Sequence, residues 1–277
     1  MTSKYKERFV GVGLLYGHAG LERLAAAHVA VVGLGGVGSW AVEALVRSGV
    51  GALTLMDGDD VCISNTNRQL QAVEGAAGKS KAEVLCERVK AINPECRVTP
   101  LQRFFTKTTE AEFFSPQEPF TAVIDAIDNL SNKCLLIARC REHRVPVVAS
   151  GGCAGLRDGS AVRVGDMALS GACDLLRLVR RKLRRDYAFP ARGKPFDVLC
   201  VWSPSGAAPK GCAAEVAPVV DVAVAHLASP RPNCEWGRGA AVFVTGAFGF
   251  AAAGAVVGKI ASGTWATGAK RQTNLPS

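Results

Sequence analysis

Residues 28–38 read His28-Val29-Ala30-Val31-Val32-Gly33-Leu34-Gly35-Gly36-Val37-Gly38. The short, largely β-branched apolar run ending at Val32 suits a strand buried on both faces of a parallel sheet. Beyond the glycines, apolar residues at 37, 41, 42, 45 and 46 repeat at helical spacing, which predicts a helix over 37–46 packed on that sheet. The glycines therefore open a helix. Its first amides have no intrahelical partners and sit at the positive end of the dipole, so phosphate oxygens can be held by backbone N–H groups. Gly33, Gly35, Gly36 and Gly38 are the candidate cradle.

Working outward, Ala52–Met56 reads as a second strand ending at Asp57, about twenty residues past the glycines, where a carboxylate can accept both ribose hydroxyls. Up to this point a dinucleotide enzyme, a mononucleotide enzyme and a merely structural glycine turn look alike. The next stretch separates them. Asp59, then Ser64-Asn65-Thr66-Asn67-Arg68-Gln69, then Lys81 bring an arginine and a lysine toward Asp57. Charge developing on the α-phosphate of ATP calls for such cations, whereas a redox domain has no standing need of them.

The alternation of strand and helix patterns continues at Arg97–Leu101, 121–125 and 145–149, with helical spacing over Lys81–Ile92 and 132–141. Parallel crossovers follow. Past Gly151-Gly152, residues 161–164 and 198–202 read as strands of an appended portion, and 188–194 and 203–211 as loops. The predicted fold is thus α/β: a Rossmann-like, mostly parallel sheet with helices on both faces and a partly antiparallel C-terminal addition. Its 277 residues suffice for one domain over 1–258, with a nucleotide half at 25–150, a substrate half at 151–258 and a disordered tail at 259–277. Residues 239–257 carry no charge but are rich in Ala and Gly, which favours a buried terminal helix over a membrane span.

The segment Asp57-Gly58-Asp59-Asp60-Val61 through Gln69, followed by Gly78-Lys79-Ser80-Lys81, resembles the ubiquitin-activating-enzyme-like superfamily of ThiF, MoeB and HesA proteins. That resemblance implies adenylation of a carboxylate. Carried over by motif, Gly36 and Asp57 hold the nucleotide, Asn67 and Arg68 the phosphates, and Lys81 the ribose and triphosphate region. Asp59, Ser64, Asn65, Gln69 and Asn129 complete the nucleotide site. Val123-Ile124-Asp125-Ala126-Ile127-Asp128-Asn129 is similar to a strand-end motif whose second aspartate, here Asp128, binds the magnesium of Mg-ATP, an ion that hard oxygen ligands suit.

Within the superfamily the likeness is broadest to the branch that dehydrates threonylcarbamoyladenosine in tRNA. It takes in Ile92-Asn93-Pro94-Glu95-Cys96-Arg97, Cys200-Val201-Trp202-Ser203 and Asn233-Cys234 as well as the motifs above, over residues 8–258. It implies ATP-dependent cyclisation through the adenylated threonyl carboxylate, with Arg68, Lys81 and Cys234 as catalytic residues. It also implies a homodimer. Superfamily dimers often insert an N-terminal arginine across subunits; here Gly11-Val12-Gly13 occupies that stretch and Arg8 is the nearest arginine. The alternatives are an enzyme that adenylates the C-terminus of a ubiquitin-like sulfur carrier and, in another class, an NAD-dependent oxidoreductase.

Ten cysteines are scattered along the chain without a Cys-x-x-Cys pair of the zinc-binding kind. No signal-peptide pattern opens it, so the expectation is a reducing cytoplasm with most thiols serving as small buried apolar groups, membrane association being the alternative. Cys234, in the mildly basic stretch after Pro230-Arg231-Pro232-Asn233, is either structural or a catalytic or persulfide-accepting thiol; the latter implies a cysteine-desulfurase partner. Lys plus Arg total 33 against 24 acids, a surplus of nine. Much of it falls on Arg177, Arg180, Arg181, Lys182, Arg184 and Arg185, opposite an apolar stripe. Such a helix could be a solvated face, a membrane-surface element or a track for tRNA phosphates, and beside an adenylating site the tRNA reading is preferred.

Overall fold

The computed structural model describes residues 1–115, 119–205 and 239–265. Two N-terminal helices, α1 (Ser3–Arg8) and α2 (Val10–Ala26), precede the sheet, and α2 is broken at Gly17, whose φ of 73° lies in the left-handed region. The central sheet comprises β1 (His28–Val32), β2 (Ala52–Met56), β3 (Arg97–Leu101), β4 (Ala122–Asp125), β5 (Val147–Ser150), β6 (Arg163–Asp166) and β7 (Leu199–Trp202). Between them lie α3 (Gly38–Arg47), α4 (Lys81–Ile92), the short α5 (Glu110–Phe113), α6 (Leu130–Glu142) and α7 (Asp174–Asp186), and α8 (Val242–Ala261) follows.

The strand order is β3-β2-β1-β4-β5-β7-β6. Every pair is parallel except β6 with β7, where Arg163 lies opposite Trp202 and Asp166 opposite Leu199. Chain direction across the sheet reverses between β1 and β4, the crevice where ligands of open α/β sheets sit, outside the carboxyl ends of the strands. The doubly buried reading of β1 holds: Val29, Ala30 and Val31 are fully shielded, as are Leu53 and Leu55 on β2. One core lies under α3, α4 and α8; the other lies under α6 and α7, around Val123, Leu136, Leu176 and Cys200.

Three of the boundaries that depart from the sequence expectation have a visible cause. The strand placed at 161–164 forms two residues later, because Asp166 anchors its far end by accepting the amides of Ala168, Phe196 and Asp197. The strand placed at 145–149 starts at Val147, after a turn in which Arg144 takes a φ of 56°. The tail placed at 259–277 does not begin at 259: α8 runs on to Ala261, with Ile260 and Ala261 buried and the Ala261 carbonyl accepting the Arg23 guanidinium. Residues 266–277 and most of the 203–211 loop lie outside the described residues.

By length and composition α8 could cross a membrane. Here it is built into the core instead: Val244, Phe248, Ala252, Val256 and Ile260 are buried along one stripe, while Phe243 and Phe250 stay half exposed or more. Its small residues allow close contact with α3. A Cβ on Gly249 would lie 2.5 Å from the Val37 carbonyl oxygen.

Candidate active site

The glycine turn is shaped by three strand ends at once. Gly33, at φ 88°, donates its amide to the Met56 carbonyl at 2.9 Å, and a Cβ there would lie 2.7 Å from the Ala126 oxygen. Gly38 is tighter still, since a Cβ would stand 1.8 Å from the Gly33 carbonyl oxygen. At Gly36 a Cβ would press on Thr245 of α8 at 3.1 Å. Gly35 differs: the nearest atom to a Cβ is Gln69 Nε2 at 3.9 Å, so packing does not demand glycine there. Three glycines let the backbone close on itself, and the fourth leaves space above the turn.

Asp57 is nearly buried at the end of β2 and both of its carboxylate oxygens are engaged. One accepts the Leu34 amide at 2.6 Å and the other the Asp59 amide at 2.9 Å. Burial raises its pKa from the ordinary carboxylate range, and the charge of Lys81 and the two amides oppose that rise. Asp57 thus holds the glycine turn in shape, and its remaining lone pairs are what a ribose could use. Lys81, the first residue of α4, is buried to 6% exposure and its Nζ lies 3.1 Å from Asp59 Oδ2, whose side chain is 53% exposed. The ammonium sits where the half-exposed Asp59 can release it to a stronger anion.

The loop after β2 orders itself through its own side chains. Asn65 Oδ1 accepts the Cys62 amide at 3.2 Å, which makes Asn65 a turn-capping residue. Arg68 donates to the Ser64 carbonyl and to Asn67 Oδ1, each at 2.9 Å, and Asn67 Nδ2 donates to the Ala240 carbonyl at 2.8 Å. The Arg68 carbonyl in turn accepts the Trp40 indole N–H at 3.1 Å. So α3, α8 and the Arg68 loop are tied to one another beside the turn. Ser64 enters through its backbone carbonyl, and Gln69 through Oε1, which accepts from Gln71 Nε2 at 3.2 Å.

Gln71 is a residue that sequence reading passed over. It is 2% exposed, and its Nε2 also donates to the Leu34 carbonyl at 2.7 Å, so it clamps the turn from the side opposite Asp57. Its Oε1 is buried without a hydrogen-bond partner among the described residues. Glutamine at that position has no periodicity signal of its own, and the contact spans 37 residues.

At the end of β4 the paired aspartates divide their work. Asp125 is fully buried, with Oδ2 3.0 Å from Lys133 Nζ, itself fully buried. Lys133 also donates to the Ile127 carbonyl at 2.9 Å and so pins the 126–129 turn against the glycines. Desolvation pushes the Asp125 pKa up, against the opposing pull of Lys133. Asp128 is exposed and carries no partner among the described residues. Asn129 is the N-cap of α6, its Oδ1 accepting the Ser131 and Asn132 amides at 3.1 Å. Its side-chain oxygen is thereby committed to the helix, which gives Asn129 a capping function.

Among the described residues no group of three or more His, Cys, Asp or Glu side chains converges as a metal cage. One free carboxylate at a phosphate cradle is the arrangement that magnesium takes when substrate phosphates fill most of its shell. Arg8 lies away from its own chain's turn, 3.6 Å from Glu95 before β3. Cys234 lies outside the described residues. Of the other thiols Cys96, Cys134, Cys140, Cys173 and Cys200 are buried, and burial pushes Cys200 up to about 12, as expected of packing groups.

A glycine turn at the switch point of a parallel sheet, with an acid and a buried lysine against it, defines a nucleotide-binding α/β domain. The chain belongs to the ThiF family, whose model matches residues 8–173. Among curated relatives it is 41% identical to the tRNA threonylcarbamoyladenosine dehydratase of Escherichia coli over 91% of this chain and 92% of that protein. It is 40% identical to the Haemophilus influenzae enzyme of the same name, over 92% and 94%. The crystal structure of the E. coli dehydratase, TcdA, superposes with a TM-score of 0.81 at 38% identity, covering 95% of this chain and 98% of that one. The same protein has been solved in complex with AMP and with ATP. The E. coli molybdopterin-synthase adenylyltransferase, at 34% identity, aligns with only 47% of this chain.

Proposed function

We propose that this chain is an ATP-dependent dehydratase that cyclises N6-threonylcarbamoyladenosine in tRNA by adenylating the threonyl carboxylate. The observation that carries this reading is the near full-length likeness to TcdA, whose ATP and AMP complexes match the two ends of an adenylation. The site fits the chemistry. A carboxylate oxygen attacks the α-phosphate and releases pyrophosphate; a nitrogen of the same modification then attacks the acyl carbon and expels AMP. The oxygen lost from the acid leaves on AMP, so the nucleoside loses one water overall.

The chain's own groups have definable parts in this. The turn amides from Gly35 to Gly38 bind phosphate oxygens, while those of Gly33 and Leu34 are held by Met56 and Asp57, and Asp57 and Gln71 keep that turn in shape. Lys81, released by Asp59, and Arg68 stabilise the charge that grows at the α-phosphate. Asp128 would hold magnesium, which would supply further neutralisation of the phosphates. Exclusion of water matters because hydrolysis of the adenylate is the competing outcome. Incubation of tRNA with the protein and Mg-ATP, followed by mass spectrometry of the nucleosides, tests the reading. Loss of one water from threonylcarbamoyladenosine is expected, and an unchanged nucleoside alongside full ATP binding refutes it.

Pyrophosphate exchange driven by a ubiquitin-like carrier peptide and not by tRNA would select the carrier-activating alternative. A nicotinamide oxidoreductase leaves Lys81 and Arg68 without a purpose, and retention of NAD but not ATP would revive it. The proposal extends to a homodimer, supported by Val10, Leu14 and Leu15, which are 60%, 84% and 79% exposed on α2. Light scattering of a Leu14→Lys/Leu15→Lys variant tests that, a dimeric mass speaking against this face. A catalytic or sulfur-accepting role for Cys234, with a cysteine-desulfurase partner, falls if Cys234→Ser retains full turnover.

A further inference from the structure

Helix α7 sorts its cations into two sets. Arg180 turns inward and donates to the Ser170 carbonyl at 2.7 Å and to the Ser170 hydroxyl. Arg184 donates to the Pro190 carbonyl at 3.0 Å and lies over the Phe196 ring. Lys182 reaches back to Asp186 at 2.9 Å and is only 23% exposed. Arg180 and Arg184 are occupied in holding the helix to the segments before and after it, and Lys182 shares Asp186 with Arg185. Arg177, Arg181 and Arg185 are the exposed set. Four-residue spacing puts them in line on one face, about 6 Å apart along the axis, opposite the buried Leu176, Val179 and Leu183.

Two of the three have acid neighbours: Arg177 with Asp174 at 3.0 Å and Arg185 with Asp186 at 2.5 Å. Both are solvent-exposed pairs of the kind that contribute little and yield to a stronger anion. Arg181 has no acid partner among the described residues. The ridge also starts in the right place. The Gly152 amide donates to Cys173 Sγ at 3.4 Å, so the first turn of α7 lies just past β5, on the strand-end side of the sheet that carries Asp128. The family model stops at residue 173, immediately before α7, whereas the dehydratase relatives align well beyond it, over 258 and 261 residues. The helix is thus outside what is matched to the family at large and within what aligns with enzymes that act on tRNA.

We propose that Arg177, Arg181 and Arg185 form a track for the tRNA phosphate backbone, leading toward the nucleotide end of the sheet. This rests on the tRNA reading above and adds to it the surface that docks the substrate. Phosphates displace the weak acid partners of the outer two arginines and meet Arg181 between them. No base is read by such a ridge, which fits an enzyme whose chemistry selects the modified nucleoside.

The test is the salt dependence of tRNA binding by the full chain. Three phosphate contacts on a single-stranded backbone contribute about 2 to the slope of log affinity against log salt. Arg177→Gln/Arg181→Gln/Arg185→Gln is therefore expected to flatten that slope by about 2 and to weaken binding in 0.1 M KCl on the order of a hundredfold. KM for tRNA rises while KM for ATP and kcat hold. The triple lysine variant, which keeps the charge, retains the slope, and Arg181→Gln alone flattens it by about 0.7, which separates lost contacts from lost folding. An unchanged slope and affinity in the triple glutamine variant overturns the proposal. So does loss of binding to phosphatidylserine vesicles with tRNA binding intact, which would assign the ridge to a membrane surface. If the wild-type protein leaves threonylcarbamoyladenosine intact but the slope still falls, the dehydratase reading fails and the ridge stands.

Discussion

Replacing Gly38 by alanine should damage the phosphate cradle, and replacing Gly35 should not damage the fold. At Gly38 the new Cβ would stand 1.8 Å from the Gly33 carbonyl oxygen, whereas ordinary contact begins near 3.4 Å, so the two must part by about 1.6 Å. Neither side yields easily. Gly33 is bonded to Met56 on one side and abuts Ala126 on the other, while α3 is clamped by α8, where Gly249 leaves no room over Val37. Overpacking of this kind costs about 1–3 kcal/mol. For a domain near this size each kcal/mol lowers Tm by about 2–4 °C, so a fall of roughly 2–12 °C is expected. A shift near 1 Å in the cradle also costs about a hundredfold in rate. At Gly35 the nearest atom would be 3.9 Å away and φ is not in the left-handed region, so Tm stays put while a methyl group intrudes where phosphate approaches. Differential scanning calorimetry and tRNA-dependent AMP formation over an ATP titration separate the two. A Gly38→Ala protein with wild-type Tm and wild-type KM for ATP would refute the account of the turn, as would a Gly35→Ala protein that unfolds early.

Lys81→Met should lower kcat/KM by roughly 10²–10³ through lost charge stabilisation, since an oxyanion donor contributes on that scale. Because Lys81 is buried and its charge offsets the burial of Asp57, chemical denaturation should also move, by about 1–3 kcal/mol. Lys133→Met strands the carboxylate of Asp125 in a fully buried position and should destabilise by about 3–5 kcal/mol in urea; a much smaller loss would mean water reaches the pair. Asp128→Asn, at an exposed position, should leave stability within about 0.5 kcal/mol. It should raise the magnesium concentration giving half-maximal AMP formation, and an unmoved magnesium titration removes Asp128 from the metal. Glu43 joins α3 to α4 through Arg88 and pairs with Arg47 one turn along its own helix, each at 2.7 Å. Burial raises its pKa, but the two guanidinium groups together bring it below the usual glutamate range. With the folded pKa lowered, that stability is fully present above about pH 4.3 and is lost as pH falls through the folded value. Glu43→Gln should flatten this part of the acid-denaturation profile, and identical profiles would show that the pair is not coupled to folding.

Much of the nucleotide half was legible because its signals are local. His28–Val32 and Ala52–Met56 are short runs of strand formers ending at a glycine or an acid, and Lys81–Ile92 begins at a serine N-cap with helical spacing behind it. Four glycines in a row of six announced the cradle, though not that Gly35 differs in kind from the other three. In the structure Asp57 bonds the glycine turn, Lys81 pairs with Asp59 beside it, and the turn carrying Asp128 abuts Gly33. The sequence could not tell binding from scaffolding among the neighbours. Asn65 and Asn129 have the composition of ligands and turn out to cap a turn and a helix.

Composition and spacing by themselves determined a parallel α/β sheet, a phosphate turn after β1 and a basic amphipathic helix near residue 180, because strand propensity, glycine geometry and helical period act within about a dozen residues. Tertiary structure alone decided what long-range contacts decide. Gln71 closes on Leu34, α8 folds back so that Thr245 presses on Gly36, and Lys133 pins the turn that carries Asp128. It also decided which arginines of α7 face inward, since Arg180 and Arg184 find their carbonyl partners only once the segments before and after the helix are packed against it. Burial is a property of the assembled chain, and it is burial that turns an exposed-looking polar residue into a clamp.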